Sequence, residues 1–525
     1  MQLLASIPLT ELSLLPALVN DYIQNHNTVK TLYQHYPSIE SFKDVIAAKK
    51  NQPINRAQLA SVLTEQYTLL PKNDLVAANI SALSSENTFT VTAAHQPCLF
   101  LGPLYNIYKI CHVIKLAQQL SQQYPKYTFV PVFWLGTEDH DIEELSHTYF
   151  NGEKLVWENP GTGASGKWST SSLAQLQKEG NWNTGNVAID EILQRALSSC
   201  STFDGFTQYV IHELFKDYGL VVLDQNHQQL KKQFAAVMAD EIFNQRAQQI
   251  LQPTVNFLEQ HYKAQAKPRD INFFYLSHNS RERILFDSST HSYTVNNTPF
   301  RFAKEELANQ IANHPECFSP NVILRPLYQE MVLPNLAFVG GAGELSYWLE
   351  LKPLFDYYDV PYPVQVLRNS ATILTTTSKR KADKTGLPIT QFFSPLDTLI
   401  KTYIQQNTST DLLLEEEKVR LAILFDTVIA KAEAADVTLK NSAAAEKQKA
   451  LSAIENIASK MLKAEKRKQE TALQQIQSVH ETVWPGGVLQ ERRENFIPFY
   501  NEELIPSLID SFDAFCPAMH VFAHQ

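Results

Sequence analysis

Several short polar stretches hold the residues that could do chemistry. The first is His95-Gln-Pro-Cys98, an imidazole and a carboxamide that could bind a phosphate or polarise a carboxyl group. The second is Gly136-Thr-Glu-Asp-His-Asp-Ile-Glu-Glu-Leu145, with five carboxylates and a histidine between Glu138 and Glu144. Asp139, His140 and Asp141 could hold Mg²⁺, bind a substrate ammonium or act as general acid and base. Glu143 and Glu144 read as the acidic first turn of a helix, favoured there by the dipole. The third stretch is Gly340-Gly-Ala-Gly-Glu344, where Gly340, Gly341 and Gly343 could let a ligand approach the backbone at a helix start. Arg368 and Asn369 end a later strand, and Arg325 opens another dense motif. The two arginines suit carboxylates, which a guanidinium grips bidentately.

The surrounding pattern must position these groups. Phe89-Thr-Val-Thr92 alternates and predicts a strand with one buried face; Tyr105 to Leu120 has the apolar period of a helix. Gly102-Pro103 sits at the join, where a first helical turn accepts proline. Tyr127–Leu135, Gly219–Asp224 and Leu336–Val339 read as further buried strands, and 364–370 as the last. Helices are expected around 189–217 and 227–262, so strand and helix alternate as in a parallel α/β sheet. Residues 1 to 85 read as largely helical. Gly161 to Gly166 resembles a phosphate loop only superficially, lacking the Gly-Lys-Ser/Thr ending and a following helix. From about 410 to 482 Gly and Pro vanish, and two helical runs, 411–437 and 441–482, predict an antiparallel pair.

These shifts divide the chain. Residues 1–147 carry N-terminal helices and the first part of a Rossmann-like core, and 148–188 an inserted segment. Core returns at 189–269, a second insertion fills 270–320, and core resumes at 321–378. A helical coiled-coil arm spans 379–484, and 485–525 packs back on the core. The fold class expected is α/β: a parallel sheet with two insertions and the arm.

Bulk composition excludes several classes. The 525 residues are 44% hydrophobic and 19% charged, as in a globular protein with a large core. The net charge of -10 argues against a broad nucleic-acid surface. No apolar run approaches a membrane span, and the N-terminus lacks the basic start of a signal peptide. The five cysteines, 98, 111, 200, 317 and 516, form no CxxC pair, which predicts a reducing cytoplasm and no zinc site.

One family combines these motifs. His95-Gln96 with Gly102-Pro-Leu-Tyr105, Thr137-Glu-Asp-His-Asp141, Arg325-Pro-Leu-Tyr-Gln-Glu330, Gly340-Gly-Ala-Gly-Glu-Leu-Ser-Tyr-Trp348 and Gln490-Glu-Arg-Arg-Glu-Asn-Phe496 resemble, in order, the bacillithiol biosynthesis cysteine-adding enzyme family. The resemblance implies a cysteine ligase that joins L-cysteine to glucosaminyl-malate, making a low-molecular-weight thiol. It also implies a homodimer supported by the coiled-coil arm. It adds Tyr105, Gln329, Glu344 and Tyr347 to the substrate-binding candidates. The family core is similar to class I aminoacyl-tRNA synthetases, but those carry two histidines near the first helix where this chain has only His95. A Lys-Met-Ser-Lys-Ser loop is also missing. Since amide formation from a free carboxylate is uphill, ATP is expected to activate the carboxyl as an adenylate or acyl phosphate, with Mg²⁺ as a possible companion. The chain's own cysteines are not expected to act as nucleophiles, because the reacting thiol is the substrate's. The competing readings are a non-catalytic nucleotide-binding scaffold built around the helical pair, and an enzyme that adenylates an amino acid for another acceptor.

Overall fold

A computed structural model describes residues 1–178, 184–408 and 413–524. The end of the 148–188 insertion at 179–183 and the expected helix start at 411 lie outside the described residues. Five strands form the central sheet: β1 (Thr88–His95), β2 (Thr128–Leu135), β3 (Val221–Asp224), β4 (Asn335–Gly340) and β5 (Val364–Leu367). All four pairings are parallel. The spatial order is β5-β4-β1-β2-β3, so the chain winds outward from β1 one way, then crosses back to β4. A crevice opens where the winding reverses, outside the carboxyl ends of β1 and β4. Register brings those ends level: His95 pairs with Leu135, Leu135 with Asp224, and Gly340 with Leu367.

β1 is buried on both faces, not on one as its alternation predicts. Phe89, Val91 and Ala93 enter the apolar core, while the threonines between them are covered because they have polar partners. Thr90 and Thr92 donate to Asn335 Oδ1 at 3.2 and 2.9 Å, and Asn335 Nδ2 donates to Glu330 at 2.7 Å. Glu330 also accepts from Gln329 at 3.1 Å and from the Lys49 ammonium at 3.1 Å. Hydroxyls thus enter a core position because every one is bonded.

Helix α1 (Tyr105–Gln123) packs against β1 and β2. Helix α2 (Arg325–Val332) precedes β4 and has proline in its first turn, and α3 (Ala342–Trp348) follows β4 directly. An antiparallel sheet that includes Phe273–Leu276, Arg281–Asp287 and Phe318–Pro320 occupies the second expected insertion.

Several expected elements are divided. The chain opens with a strand, Gln2–Pro8, before its helices. The helix expected at 227–262 is three, the last break falling at Gln245, whose φ of 54° and ψ of 45° are left-handed. Glu241 holds that break by accepting from the Ala247 N–H at 2.8 Å. The helix at 189–217 is two, Val187–Ser199 and Phe203–Phe215. The last strand splits at Arg368-Asn369: β5 stays in the parallel sheet, and Ser370–Leu374 joins a separate three-stranded sheet.

The chain divides into two units, Met1–Ile373 with Val488–Phe522, and Leu374–Gly487 with the closing residues from Ala523. In the second, Glu415–Ala435 and Leu439–Lys468 run antiparallel, tied by Glu433–Lys440 and Asp426–Lys447 ion pairs at 2.8 and 2.6 Å. The run expected at 441–482 breaks at Gln469. Glu470–Val483 then packs Ile476, Val479 and Val483 inward and lies against the Thr376–Thr385 helix. Among the described residues, no helix is long and apolar enough to cross a membrane.

Lys49 and Glu330 are both fully buried. Glu330→Leu should therefore cost about 3–5 kcal/mol, because it strands a buried ammonium. Urea denaturation of Glu330→Leu and of the Lys49→Met/Glu330→Leu double variant measures this. The double variant should recover most of the loss; equal losses would show that the stranded ammonium is not its source.

Candidate functional site

The crevice holds a cavity of about 430 Å³. β1 and its loop contribute His95 and Gln96, and α1 contributes Tyr105 and Lys109. Asp139 comes from the loop after β2, Glu144 from the short helix that follows it, and Arg325 from α2. Gly341, at the turn after β4, and Gly343, Glu344 and Tyr347 of α3 follow; Arg368 and Arg492 complete the wall. Most candidates drawn from separate motifs thus meet at one place.

His95 is locked on both nitrogens. Nδ1 lies 3.0 Å from the Gln96 carbonyl, which can only accept, so Nδ1 carries the proton. Nε2, 3.0 Å from the Tyr105 hydroxyl, then accepts from it. Burial, with help from the Lys109 charge, pushes the imidazole down to about 3. Burial likewise raises Tyr105 above its ordinary range, so both partners are neutral near pH 7.

The acidic loop sorts its members. Asp139 accepts from both terminal nitrogens of Arg325 at 3.0 Å each, and Arg281 lies 3.4 Å away. Burial opposes its ionisation, but the two guanidiniums outweigh it and hold its pKa below the ordinary value. His140 turns away from the cavity: its Nδ1 accepts from Arg281 at 3.3 Å and its ring lies near Phe274. Asp141 caps the short helix Ile142–Leu145 by accepting from the Glu144 N–H at 3.1 Å. The helix-start reading of Glu144 is incomplete. This side chain lines the cavity rim, where loss of water and then the Asp141 and Asp139 charges raise its pKa.

The glycine turn works differently from its expected role. Gly341 has φ of -76°, and neither Gly340 nor Gly343 has positive φ, so backbone conformation does not demand glycine. Gly340 is required by packing, since a Cβ there would meet Phe338 at 2.8 Å and Leu345 at 2.9 Å. A Cβ on Gly341 would point toward Arg368 Nε and Glu344, 3.6 Å from each; on Gly343 it would meet nothing within 4 Å. The α3 N-terminus is not a free anion site, because the Gly341 N–H donates to Glu344 Oε2 at 2.9 Å. Lys109 reaches the same oxygen at 2.6 Å and donates to the Ala94 carbonyl at 3.0 Å.

Arg368 is 5% exposed and donates twice to Glu491, at 3.0 and 2.8 Å. Among the described residues, the buried Nε groups of Arg325 and Arg368 have no partner. Each guanidinium therefore keeps one N–H beyond its carboxylate.

The segment carrying Glu491 also closes the loop before α1. Phe100, Leu101 and Gly102 have φ of 49°, 65° and 64° in succession, a strained path for the first two. Asn495 Nδ2 lies 3.0 Å from the Phe100 carbonyl and 2.9 Å from that of Gly102, and Asn106 donates to Leu101 at 2.7 Å. Leu104 N–H donates to the Glu494 carbonyl at 2.8 Å.

Two substrate-binding candidates lie elsewhere. Gln329 belongs to the buried network under β1. Asn369 is fully buried; its amide nitrogen donates to the Asp513 carbonyl at 2.7 Å, and its Oδ1 accepts from Ala518 N–H at 3.0 Å. Both have the polarity of site residues but spend it inside the core. The residues the reading missed are Lys109, Glu144, Glu491 and Arg492. Lys109 ends the same run as His95, and its spacing four residues after Tyr105 on α1 was the available signal.

Because His95 has a folded pKa below its unfolded value near 6.5, its contribution to stability is present above pH 6.5. It is lost as pH falls toward about 3, since only the unfolded chain takes up the proton. His95→Gln, whose amide can accept from Tyr105, should lose less stability than wild type between pH 7 and 4.5. Urea midpoints across that range test this, and parallel curves would remove His95 from the linkage.

Comparison with known proteins agrees with the geometry. Residues 4–369 match the family described as "Bacillithiol biosynthesis BshC, N-terminal Rossmann-like domain". Residues 371–524 match "Bacillithiol biosynthesis BshC, C-terminal coiled-coil domain". A protein of Flavobacterium johnsoniae is 36% identical over 501 residues, covering 94% of each chain. One of Flavobacterium psychrophilum is 35% identical over 517 residues, covering 97% of each. One of Cytophaga hutchinsonii is 36% identical over 499 residues, covering 94% of each. All three carry the name "Putative cysteine ligase BshC". A chain matched along nearly its whole length in this way, with its polar motifs gathered at the sheet's switch point, belongs to the BshC family of bacillithiol biosynthesis.

Proposed function

We propose that this protein is a cysteine ligase that forms the amide between the carboxyl of L-cysteine and the amine of glucosaminyl-malate. The observation that carries the reading is the shared lining of one cavity. A neutral imidazole, a carboxyl of raised pKa and two arginines with unpartnered Nε groups meet there. A carboxylate is a poor acyl donor, so ATP, with Mg²⁺ on its phosphates, would supply the leaving group. The residues fit an anion through Arg325 and Arg368. Among the described residues no group of three His, Cys, Asp or Glu side chains could hold a metal, so Mg²⁺ would draw most ligands from phosphate and water.

The chain's own groups then have separable tasks. Arg325 and Arg368, oriented by Asp139 and Glu491, hold carboxylate or developing negative charge through their spare N–H groups. Glu144 takes the proton released when the amine forms its new bond, a role suited to a raised pKa at a cavity rim. His95 fixes the Tyr105 hydroxyl by accepting from it, and so shapes the wall beside α1. Positioning of two substrates in one crevice supplies the remaining advantage. All five cysteines are unpaired, which suits a reducing cytoplasm.

The same reading makes the protein a homodimer through its arm. Helix Glu415–Ala435 leaves Val419, Ile423, Leu424 and Val428 exposed, more apolar surface than a solvated helix face needs. Ile423→Lys with Leu424→Lys should convert a dimer into a monomer by light scattering. A wild-type monomer, or a variant that remains dimeric, would remove the arm from assembly.

Mass spectrometry of purified protein with glucosaminyl-malate, cysteine and ATP tests the activity. Wild type should give the thiol product, and Glu144→Gln should lower turnover about 10²-fold or more with stability retained. Absence of product, with ATP bound, would leave a nucleotide-binding scaffold. Pyrophosphate exchange with another amino acid would reassign the substrate.

A further inference from the structure

A second cavity, of about 400 Å³, adjoins the first and shares Asp139, Val322, Arg325 and Tyr347 with it. Its other walls come from residues 265–271 and from the antiparallel strands Phe273–Leu276 and Arg281–Asp287. Five cations line it: Lys267, Arg269, Arg281, Arg283 and Arg325. Asp139 is the one carboxylate in its lining among the described residues. Lys267 has an exposed partner in Glu259 at 2.9 Å, but Arg269 and Arg283 have no ion-pair partner among the described residues. In a chain of net charge -10, this is a local surplus of positive charge in a concave site.

The surplus extends below the surface. Arg281 is 6% exposed, donates to Ser319 Oγ at 3.0 Å, and lies over the Phe274 ring at 4.0 Å. Arg281 and Arg325 converge on Asp139, so two guanidiniums share one carboxylate. A buried cation is costly without full compensation. An incoming anion would supply the missing charge, and the unpartnered Arg269 and Arg283 supply free donors for it.

We propose that this cavity is a subsite for a compact anion carrying at least two negative charges. That chemistry is shared by the dicarboxylate end of a malyl group and the polyphosphate tail of a nucleotide; the naming of these two sources rests on the ligase reading. The subsite places the anion beside Arg325, so the rest of the molecule, with the amine in the malyl case, extends into the first cavity toward Glu144. Asp139, common to both cavities, holds Arg325 in place between them.

Calorimetric titration of the full chain tests this, with L-malate, inorganic triphosphate and glucosaminyl-malate as probes. Wild type should bind at least one, more weakly as salt rises. Arg269→Ala/Arg283→Ala should weaken that binding about tenfold or more, with an unchanged melting temperature because neither side chain has an ion-pair partner. Loss confined to L-malate and glucosaminyl-malate assigns a dicarboxylate subsite; loss confined to triphosphate assigns a polyphosphate subsite. No binding of any probe by wild type, or equal affinities in the variant, would overturn the subsite. The product assay separates it from the ligase reading. Anion binding lost in the variant, without product from wild type, keeps the subsite and rejects the ligase. Product formed with an unchanged KM in the variant does the reverse.

Discussion

Arg368 and Glu491 form the contact on which the crevice depends. Arg368 stands where the chain leaves β5, and Glu491 belongs to a segment that returns more than a hundred residues later. Both are nearly buried, so each would be expensive alone. The bidentate geometry and the added bonds from Arg368 to the Asn369 carbonyl and Ser370 Oγ, 3.0 and 3.1 Å, make burial tolerable. Gln490, next to Glu491, pairs with both backbone groups of Ile373 at 2.8 and 2.9 Å. The returning segment is thereby tied to the end of the sheet as well as to the cavity wall.

That attachment explains why a strained loop survives beside the site. Two consecutive non-glycine residues of positive φ cost of order 1–3 kcal/mol each. The cost is offset by Asn495 and Asn106 bonding three successive carbonyls, and by burial of the Phe100 and Leu101 side chains. Gly102 closes the path because a Cβ there would meet the Cys98 Cβ at 2.8 Å. The loop in turn sets where α1 begins, and therefore where Tyr105 and Lys109 face His95 and Glu344. Residues 490–495 thus control geometry on the far side of the crevice.

Legibility in the sequence followed distance along the chain. His95, Asp139, Gly341 and Arg368 were readable because parallel sheets place ligands at strand ends, and each follows a recognisable strand. The parallel α/β class and the antiparallel arm were readable for a similar reason: local periodicity declares them. Glu491 belongs to a recognisable motif, but nothing near it in the sequence shows that it meets Arg368. Gln329 and Asn369 failed the other way, since a polar residue in a motif looks the same whether it faces a cavity or a buried network. The break at Gln245 escaped because the apolar period continues across it; near Gln469 the seam is interrupted by Glu465 and Lys468, and no Gly or Pro marks the stop. Glu144 does stand in the first turn of a helix, as its sequence implies, and its place at the cavity rim is visible only once the neighbouring elements are packed.

Charge pairing decides what the site can recognise. Lys109 is taken by Glu344, Arg368 by Glu491, and Arg325 by Asp139, so none is a free cation. A ligand that met only these pairs would have to compete with a carboxylate already in place. What stays unsatisfied among the described residues is directional: one buried N–H on each of Arg325 and Arg368, with the Glu144 carboxyl at the rim. Such a wall orients a polar substrate more than it attracts charge. Attraction comes from cations without an ion-pair partner among the described residues: Arg492 on the wall of this cavity, and Arg269 and Arg283 in the adjoining one. The cavity wall therefore keeps its paired charges near balance, while the adjoining cavity carries the surplus of positive charge.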